Sequence, residues 1–335
     1  MTPKQYISGA NKRLKSFSDQ AGGVWMKTAT QAEKDIVKVY KNSLKTINRE
    51  LADMYRIYGD DVDIATMRKY DRLNKLSNQM MEHVKGMGVK VKSNISSQGR
   101  GSYEQGYYYS GYATDSTFGT TAGFGQLNTK VITQSVKNPL AFVQWTDRLS
   151  DNVSFMHRKV MEAVTEGLVQ GYGYSKTAGL IRDTVERDAY KATRIMWTES
   201  GRVRSEARNE SFTKSKGAAD RLGVNIANIW DATLDSRTRS EHGGLDGNPS
   251  EDMDGVPTWT FSNGIKTTGP GLSGNAAMDI QCRCTTRVEV EDLGPDTRLD
   301  IENKKEIPYI KYEEWAAKNK IVNKYSPKPD FKKVA

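Results

Sequence analysis

Apolar residues recur every three or four positions early in the chain, with Ile36, Tyr40, Leu44, Ile47, Leu51, Met54 and Tyr58 forming one stripe. That spacing puts them on a single helix face. Gly59-Asp60-Asp61 ends the stripe, and Asp63 is placed to cap a second helix carrying Met67, Tyr70, Leu73, Leu76, Met80 and Val84. Residues 1–90 are therefore expected to form a helical hairpin whose apolar faces pack on each other. Residues 91–135 are rich in Gly, Ser and Tyr, and are expected to be a helix running out into a flexible connection. Tyr103, Tyr107, Tyr108, Tyr109 and Tyr112 have no Lys or Arg among them, which argues against a stacking surface for single-stranded nucleic acid.

Helical spacing returns over 136–222. Val153, Met156, Val160, Val164 and Leu168 share a face, Gly171-Tyr172-Gly173 stops that helix, and Ser175 is a suitable cap for the next. A further stripe of Ala192, Met196, Val203 and Ala207 includes Glu199, a carboxylate that needs a partner if that face is buried. From about residue 223 the texture changes. Asn228 to Ala232 is strand-like, Leu245 to Pro249 is a turn, and Cys282 to Val290 alternates. Cys282, Cys284, Thr286, Val288 and Val290 fall on one side, and Arg283, Thr285, Arg287 and Glu289 on the other. The expected fold class is α+β: a mainly helical N-terminal region, a small α+β unit over 223–292, and a basic tail over 293–335.

Charge adds one element to this picture. The 335 residues carry a net charge of +9, and nine lysines against four acids lie within 303–335. Lys318, Lys320, Lys324, Lys328, Lys332 and Lys333 are the candidate contacts there, toward duplex DNA without sequence preference or toward a partner protein. No run approaches the ~20 apolar residues of a membrane span, and no secretory leader is expected. Cys282 and Cys284, one residue apart, cannot build a disulfide framework, which points to a reducing cytoplasm.

Three segments occur in order: Arg194 to Ala207 with Thr198-Glu199; Trp230 to Gly247 with Asp235, Arg237-Thr238, His242 and Asp246-Gly247; and Cys282-Arg283-Cys284 opening the last strand. Together they resemble the C-terminal domain of the phage Mu F-like head morphogenesis family, the minor head proteins of tailed phages. The resemblance covers about residues 194–288, so Glu199, Trp230, Arg237, Asp246 and Gly247 are expected as structural motif residues of a Mu F-like domain. It implies a virion component, inside the capsid and at the portal, in a few copies. Such a protein assembles in the host cytoplasm with portal, major capsid or scaffolding proteins, and assists head assembly, DNA packaging or genome ejection. The family supplies no catalytic residues, and no cofactor is expected apart from a candidate structural zinc.

That candidate is His242, Cys282 and Cys284, a soft donor set suited to Zn²⁺, with Asp235 or Asp246 as a fourth ligand. The alternation that places both thiols beside Val288 and Val290 supports the other reading, plain buried cysteines. Asp235 also has a structural use, bonding the backbone two residues on, while Arg237 or Arg239 is placed to neutralise Glu199. Two enzyme readings compete with the capsid one. A metal-dependent DNA-processing nuclease would use His242, but no later histidine completes a pair. An ADP-ribosyltransferase would use a Glu-x-Glu such as Glu289-Val290-Glu291, a spacing any acidic strand end provides. No Walker A, dinucleotide or G-x-S-x-G motif is present. The expectation is a protein that is not an enzyme.

Overall fold

The computed structural model describes residues 3–119, 124–138, 143–290 and 297–320, with side chains from residue 9 onward. The fold is α+β. Six helices come first: α1 (Pro3–Tyr58), α2 (Ile64–Arg68), α3 (Arg72–Phe118), α4 (Thr129–Lys137), α5 (Trp145–Gln170) and α6 (Tyr174–Arg221). Short strands and helical turns follow: β1 (Ile226–Asp231), α7 (Ser240–Gly244), β2 (Glu251–Met253), β3 (Val256–Thr260), β4 (Lys266–Thr267), α8 (Ala276–Asp279), β5 (Thr285–Val290), β6 (Thr297–Asp300), β7 (Lys305–Pro308) and α9 (Tyr312–Lys318). Among the described residues no helix is long and apolar enough to cross a membrane. Two compact units divide the chain, and α1, α3 and α6 each contribute to both.

One unit combines residues 30–97 with 143–196 and is helical. Ile36, Tyr40, Ile47, Leu51 and Met54 are buried as their spacing predicts, and so are Met156, Val160, Val164 and Leu168 of α5. Asp63 caps α2 by accepting from the Thr66 amide at 2.7 Å. The expected second arm is broken, however. Tyr70 and Asp71 take left-handed backbone angles (φ 54° and 58°), so Tyr70 leaves the stripe and is exposed. Ser175 lies in the first turn of α6 rather than at its cap.

Inside this unit the Tyr40 hydroxyl donates to Asp188 Oδ2 at 2.8 Å. Burial pushes the Asp188 carboxyl up to about 6, against the opposing effects of the Tyr40 bond and Lys191. A folded-state pKa above the unfolded value means the native protein prefers the protonated acid. Its contribution to stability is full below about pH 4 and is lost as pH rises to about 6. Asp188→Asn keeps an acceptor for Tyr40 and removes the charge. It is expected to raise stability at pH 7 by about 2–3 kcal/mol while leaving it unchanged near pH 4. Urea titrations of both proteins at the two pH values check this, and a variant less stable at pH 7 would contradict it.

The other unit combines residues 1–29, 98–142 and 197–327. Here the expected connection over 91–135 is corrected, because α3 continues unbroken to Phe118 and α4 follows, capped by Asn128. Gly106 and Gly111 in this helix are packing residues, each facing an atom 2.6 Å from where a Cβ would sit. A Cβ on Gly106 would lie 2.6 Å from the backbone oxygen of Arg204, so only glycine lets α3 and α6 approach this closely. Ser102, Tyr103, Tyr107, Ala113 and Thr114 are buried on the same helix. Ser102 Oγ accepts from the Trp25 indole at 3.1 Å, and Arg204 stacks over the Trp25 ring.

The strands of this unit form three small antiparallel sheets, β1-β5, β2-β3-β4 and β6-β7. In the first, Trp230 faces Thr286 and Ile226 faces Val290. β5 begins at Thr285, so Cys282 to Cys284 precede it, with Gln281 in the left-handed region (φ 55°). The predicted alternation holds for both cysteines, Thr286 and Val290 but fails at Arg287, which is buried and paired with Asp231 and Glu289.

The expected tail from 293 is also corrected. Tyr312 and Trp315 join Trp230, Leu234, Trp259, Phe261 and the two cysteines in one core cluster, so β6, β7 and α9 belong to the folded unit. Lys318 pairs with Glu314, and Lys320 is exposed. Lys324, Lys328, Lys332 and Lys333 lie outside the described residues.

Candidate functional site

Thr198, Thr233, Asp235 and Arg239 converge on one short peptide, residues 280–284. Asp235 accepts from the Arg237 amide at 2.9 Å, fixing the turn after β1 as its spacing predicts. Both carboxylate oxygens of Asp235 are also held by the Arg283 guanidinium, a two-point grip on the middle residue of Cys-Arg-Cys. Thr233 Oγ1 donates to the Arg283 carbonyl at 2.7 Å, and Arg239 Nη2 donates to the Ile280 carbonyl at 2.6 Å. From α6, Thr198 Oγ1 accepts the Gln281 amide at 3.0 Å. With Arg283 drawn outward to Asp235, the two flanking cysteines turn inward.

They meet His242, which α7 carries from the other side. Cys282 Sγ and Cys284 Sγ lie 3.5 and 3.6 Å from His242 Nδ1, and all three side chains are buried. Packing sets the imidazole plane: Phe261 stacks on it with centroids 5.0 Å apart, and Trp230 meets it edge-on. His242 Nε2 is buried without a hydrogen-bond partner among the described residues. A hydrogen bond between the two free thiols lowers Cys282 below its usual range, and the same hydrogen bond, with burial, pushes Cys284 well above it. Asp279, buried and raised by desolvation, has its Oδ1 on Ser273, and its Oδ2 has no hydrogen-bond partner among the described residues.

Neither acid expected as a fourth ligand is available to this cluster. Asp235 belongs to Arg283 and Arg237, and Asp246 to Arg298. The partner expected for Glu199 is corrected as well. Arg202, one turn along α6, donates to Glu199 at 2.9 Å, and both are buried; Arg237 and Arg239 are engaged elsewhere. The same guanidinium reaches Glu206 and the Ser135 carbonyl, tying α6 to α4.

Asp246 and Gly247 form the predicted turn, Gly247 at φ 75° with its amide on the Trp230 carbonyl. Asp246 accepts from the amides of Ala232 and Tyr312 and from Arg298. Arg298 is the residue that sequence reading missed. Buried, it also donates to Asp231 and to the carbonyls of Ala232 and Ile310. Its only signal in the sequence is an arginine inside a segment that reads as a tail.

Residues 158–287 match the family model described as phage Mu protein F like protein. That stretch of the chain is phage Mu F-like. The matched span contains the whole cradle around His242, Cys282 and Cys284. Over 301 residues the chain is 28% identical to NAD(+)–arginine ADP-ribosyltransferase EFV of Enterococcus faecalis, an alignment covering 90% of this chain and 60% of that protein. Over 299 residues it is 27% identical to minor head protein GP7 of Bacillus phage SPP1, covering 87% of this chain and 94% of that protein. The chain thus spans about 60% of the length of the Enterococcus relative. No solved structure matches.

Proposed function

We propose that this Mu F-like protein is a minor head protein of a tailed phage, a non-enzymatic virion component. It sits inside the capsid at the portal in a small number of copies, contacts portal and major capsid or scaffolding proteins, and assists head assembly, packaging or ejection. The observation that carries this reading is reciprocal length: the alignment with the SPP1 minor head protein takes in nearly all of both chains. The Enterococcus enzyme extends well beyond the shared part, so its activity need not reside there. Glu289, offered by sequence as part of a catalytic Glu-x-Glu, is held by Arg287 at 2.6 Å, and Glu291 lies outside the described residues. The nuclease reading fares no better, because His242 is buried with its Nδ1 turned to two sulfurs rather than to a solvent-lined cleft.

The DNA contact is assigned to the lysines from Lys318 onward. A truncation testing it must start after Lys320, since removing 303–335 would take Tyr312 and Trp315 out of the core. Residues 321–335 carry four lysines and one aspartate. Three net phosphate contacts correspond to a change of about 3 in the log–log salt slope on duplex DNA.

One experiment tests both statements. Gradient-purified particles made with the full chain or with the chain ending at Lys320 are analysed by quantitative mass spectrometry, and both proteins are titrated on DNA at several salt concentrations. The full chain is expected in particles far below the major shell protein, and the truncated one is expected to show the flatter slope. Absence of the full chain from particles overturns the capsid reading. An unchanged slope with lost incorporation assigns the lysines to the portal instead.

A further inference from the structure

His242, Cys282 and Cys284 come from segments 40 and 42 residues apart in sequence, yet their ligand atoms all lie within 4.8 Å of one another. We propose that these three side chains bind one zinc ion, which staples α7 to the approach to β5 and so locks the Mu F-like core. The distances suit an ion as well as they suit a hydrogen bond. Tetrahedral zinc, with Zn–S of about 2.3 Å and Zn–N of about 2.0–2.1 Å, separates a sulfur from a nitrogen ligand by about 3.6 Å. Both sulfurs stand at that separation from the same nitrogen, 3.5 and 3.6 Å. A neutral imidazole offers Nδ1 a single proton or a single lone pair. One thiol satisfies it, whereas a shared ion accounts for two equal distances.

Charge and chemistry agree with the geometry. Two thiolates and a neutral imidazole balance Zn²⁺, so the buried centre is neutral overall and avoids the cost of an uncompensated internal charge. Binding releases the two thiol protons to solvent and requires no oxidant or reductant. Thiolate and imidazole together are a soft donor set suited to zinc, and with Asp235 and Asp246 engaged elsewhere the three buried ligands leave the fourth coordination position to a non-protein ligand such as water.

The Asp235–Arg283 pair then has a defined task. It is a positioning pair, not a ligand pair: gripping Arg283 outward sets both flanking sulfurs inward, as outer partners of metal ligands do. Trp230 and Phe261 supply the ring orientation that a hydrogen bond to Nε2 gives in many zinc sites.

The test uses the full chain purified without chelator. Elemental analysis is expected to find one zinc per chain, and exchange into Co²⁺ is expected to give the thiolate-to-cobalt charge-transfer absorption of a tetrahedral site. Cys282→Ser and Cys284→Ser each lose the metal, while His83→Gln, half-buried in the helical unit against Glu50, retains it. Arg283→Met retains the ligands and binds zinc about 10–100-fold more weakly. Should the cysteine variants fail to fold, the wild-type protein alone decides. Stripping with a chelator lowers the melting temperature and added Zn²⁺ restores it. Wild-type protein with no zinc and no cobalt charge-transfer band overturns the proposal, as does an Arg283→Met variant with unchanged zinc affinity.

Discussion

Replacing Arg298 with alanine is expected to destabilise the α+β unit by about 3–5 kcal/mol, the cost of breaking a buried ion pair by removing one partner. The Arg298 side chain is 6% exposed, and that of Asp246 is fully buried. Alanine leaves the Asp246 carboxylate inside the core with, among the described residues, only the amides of Ala232 and Tyr312 as donors. It also strips the carbonyls of Ala232 and Ile310 of the guanidinium that bonds them. Against desolvation, the charges of Asp231 and Asp246 hold the Arg298 pKa above its ordinary range, so the guanidinium is charged wherever the protein is folded. The double variant Arg298→Met with Asp246→Leu removes both charges. It is expected to recover part of the loss, since paired apolar substitution of a buried ion pair is often close to neutral. Urea unfolding followed by tryptophan fluorescence measures both. A loss below about 1 kcal/mol for Arg298→Ala would mean that the pair is solvated in solution.

Trp230→Ala carries a comparable expectation, about 3–5 kcal/mol, for a different reason. The indole is fully buried and meets His242, Trp259 and Phe261 edge-on, so alanine opens a cavity at the centre of the cluster that also holds the two cysteines. The size of the effect comes from packing alone. Trp230 Nε1 has no hydrogen-bond partner among the described residues, so removing that N–H costs nothing in bonding. Trp230→Phe is therefore expected to lose only about 1 kcal/mol, the share of the smaller ring volume. The same unfolding titrations separate the two. A phenylalanine variant as unstable as the alanine one would show that the indole N–H has a bonded partner in solution.

What the sequence determined by itself is the local order. A stripe such as Ile36–Tyr40–Ile47–Leu51 fixes which helix face is buried, because 3.6-residue periodicity is a property of the segment alone. The alternation at Cys282, Cys284, Thr286 and Val290 fixes which side chains point inward for the same reason. The Asp235 turn and the Asp246-Gly247 turn are likewise local chemistry. The switch near residue 223 from helical spacing to alternation marks where the strands begin, with β1 at Ile226–Asp231, and His242, Cys282 and Cys284 were identifiable by donor type.

Tertiary structure decided everything that depends on partners far away in the chain. Glycines along 99–111 lower helix propensity, so the segment reads as a connection. Only the close approach of the Arg204 backbone to Gly106 makes glycine the residue the helix needs. Residues 297–318 read as a polar tail because apolar residues are sparse there. Two of them, Tyr312 and Trp315, are buried by elements some 80 residues earlier in the chain. Glu199 drew its partner from its own helix, and Asp246 drew Arg298 from 52 residues away, a choice that burial and packing make and no local spacing encodes. The convergence of one imidazole and two thiols on a common point has the same origin: the residue types are written in the chain, but only the grip of Asp235 on Arg283 and the docking of α7 bring their atoms within reach of one ion.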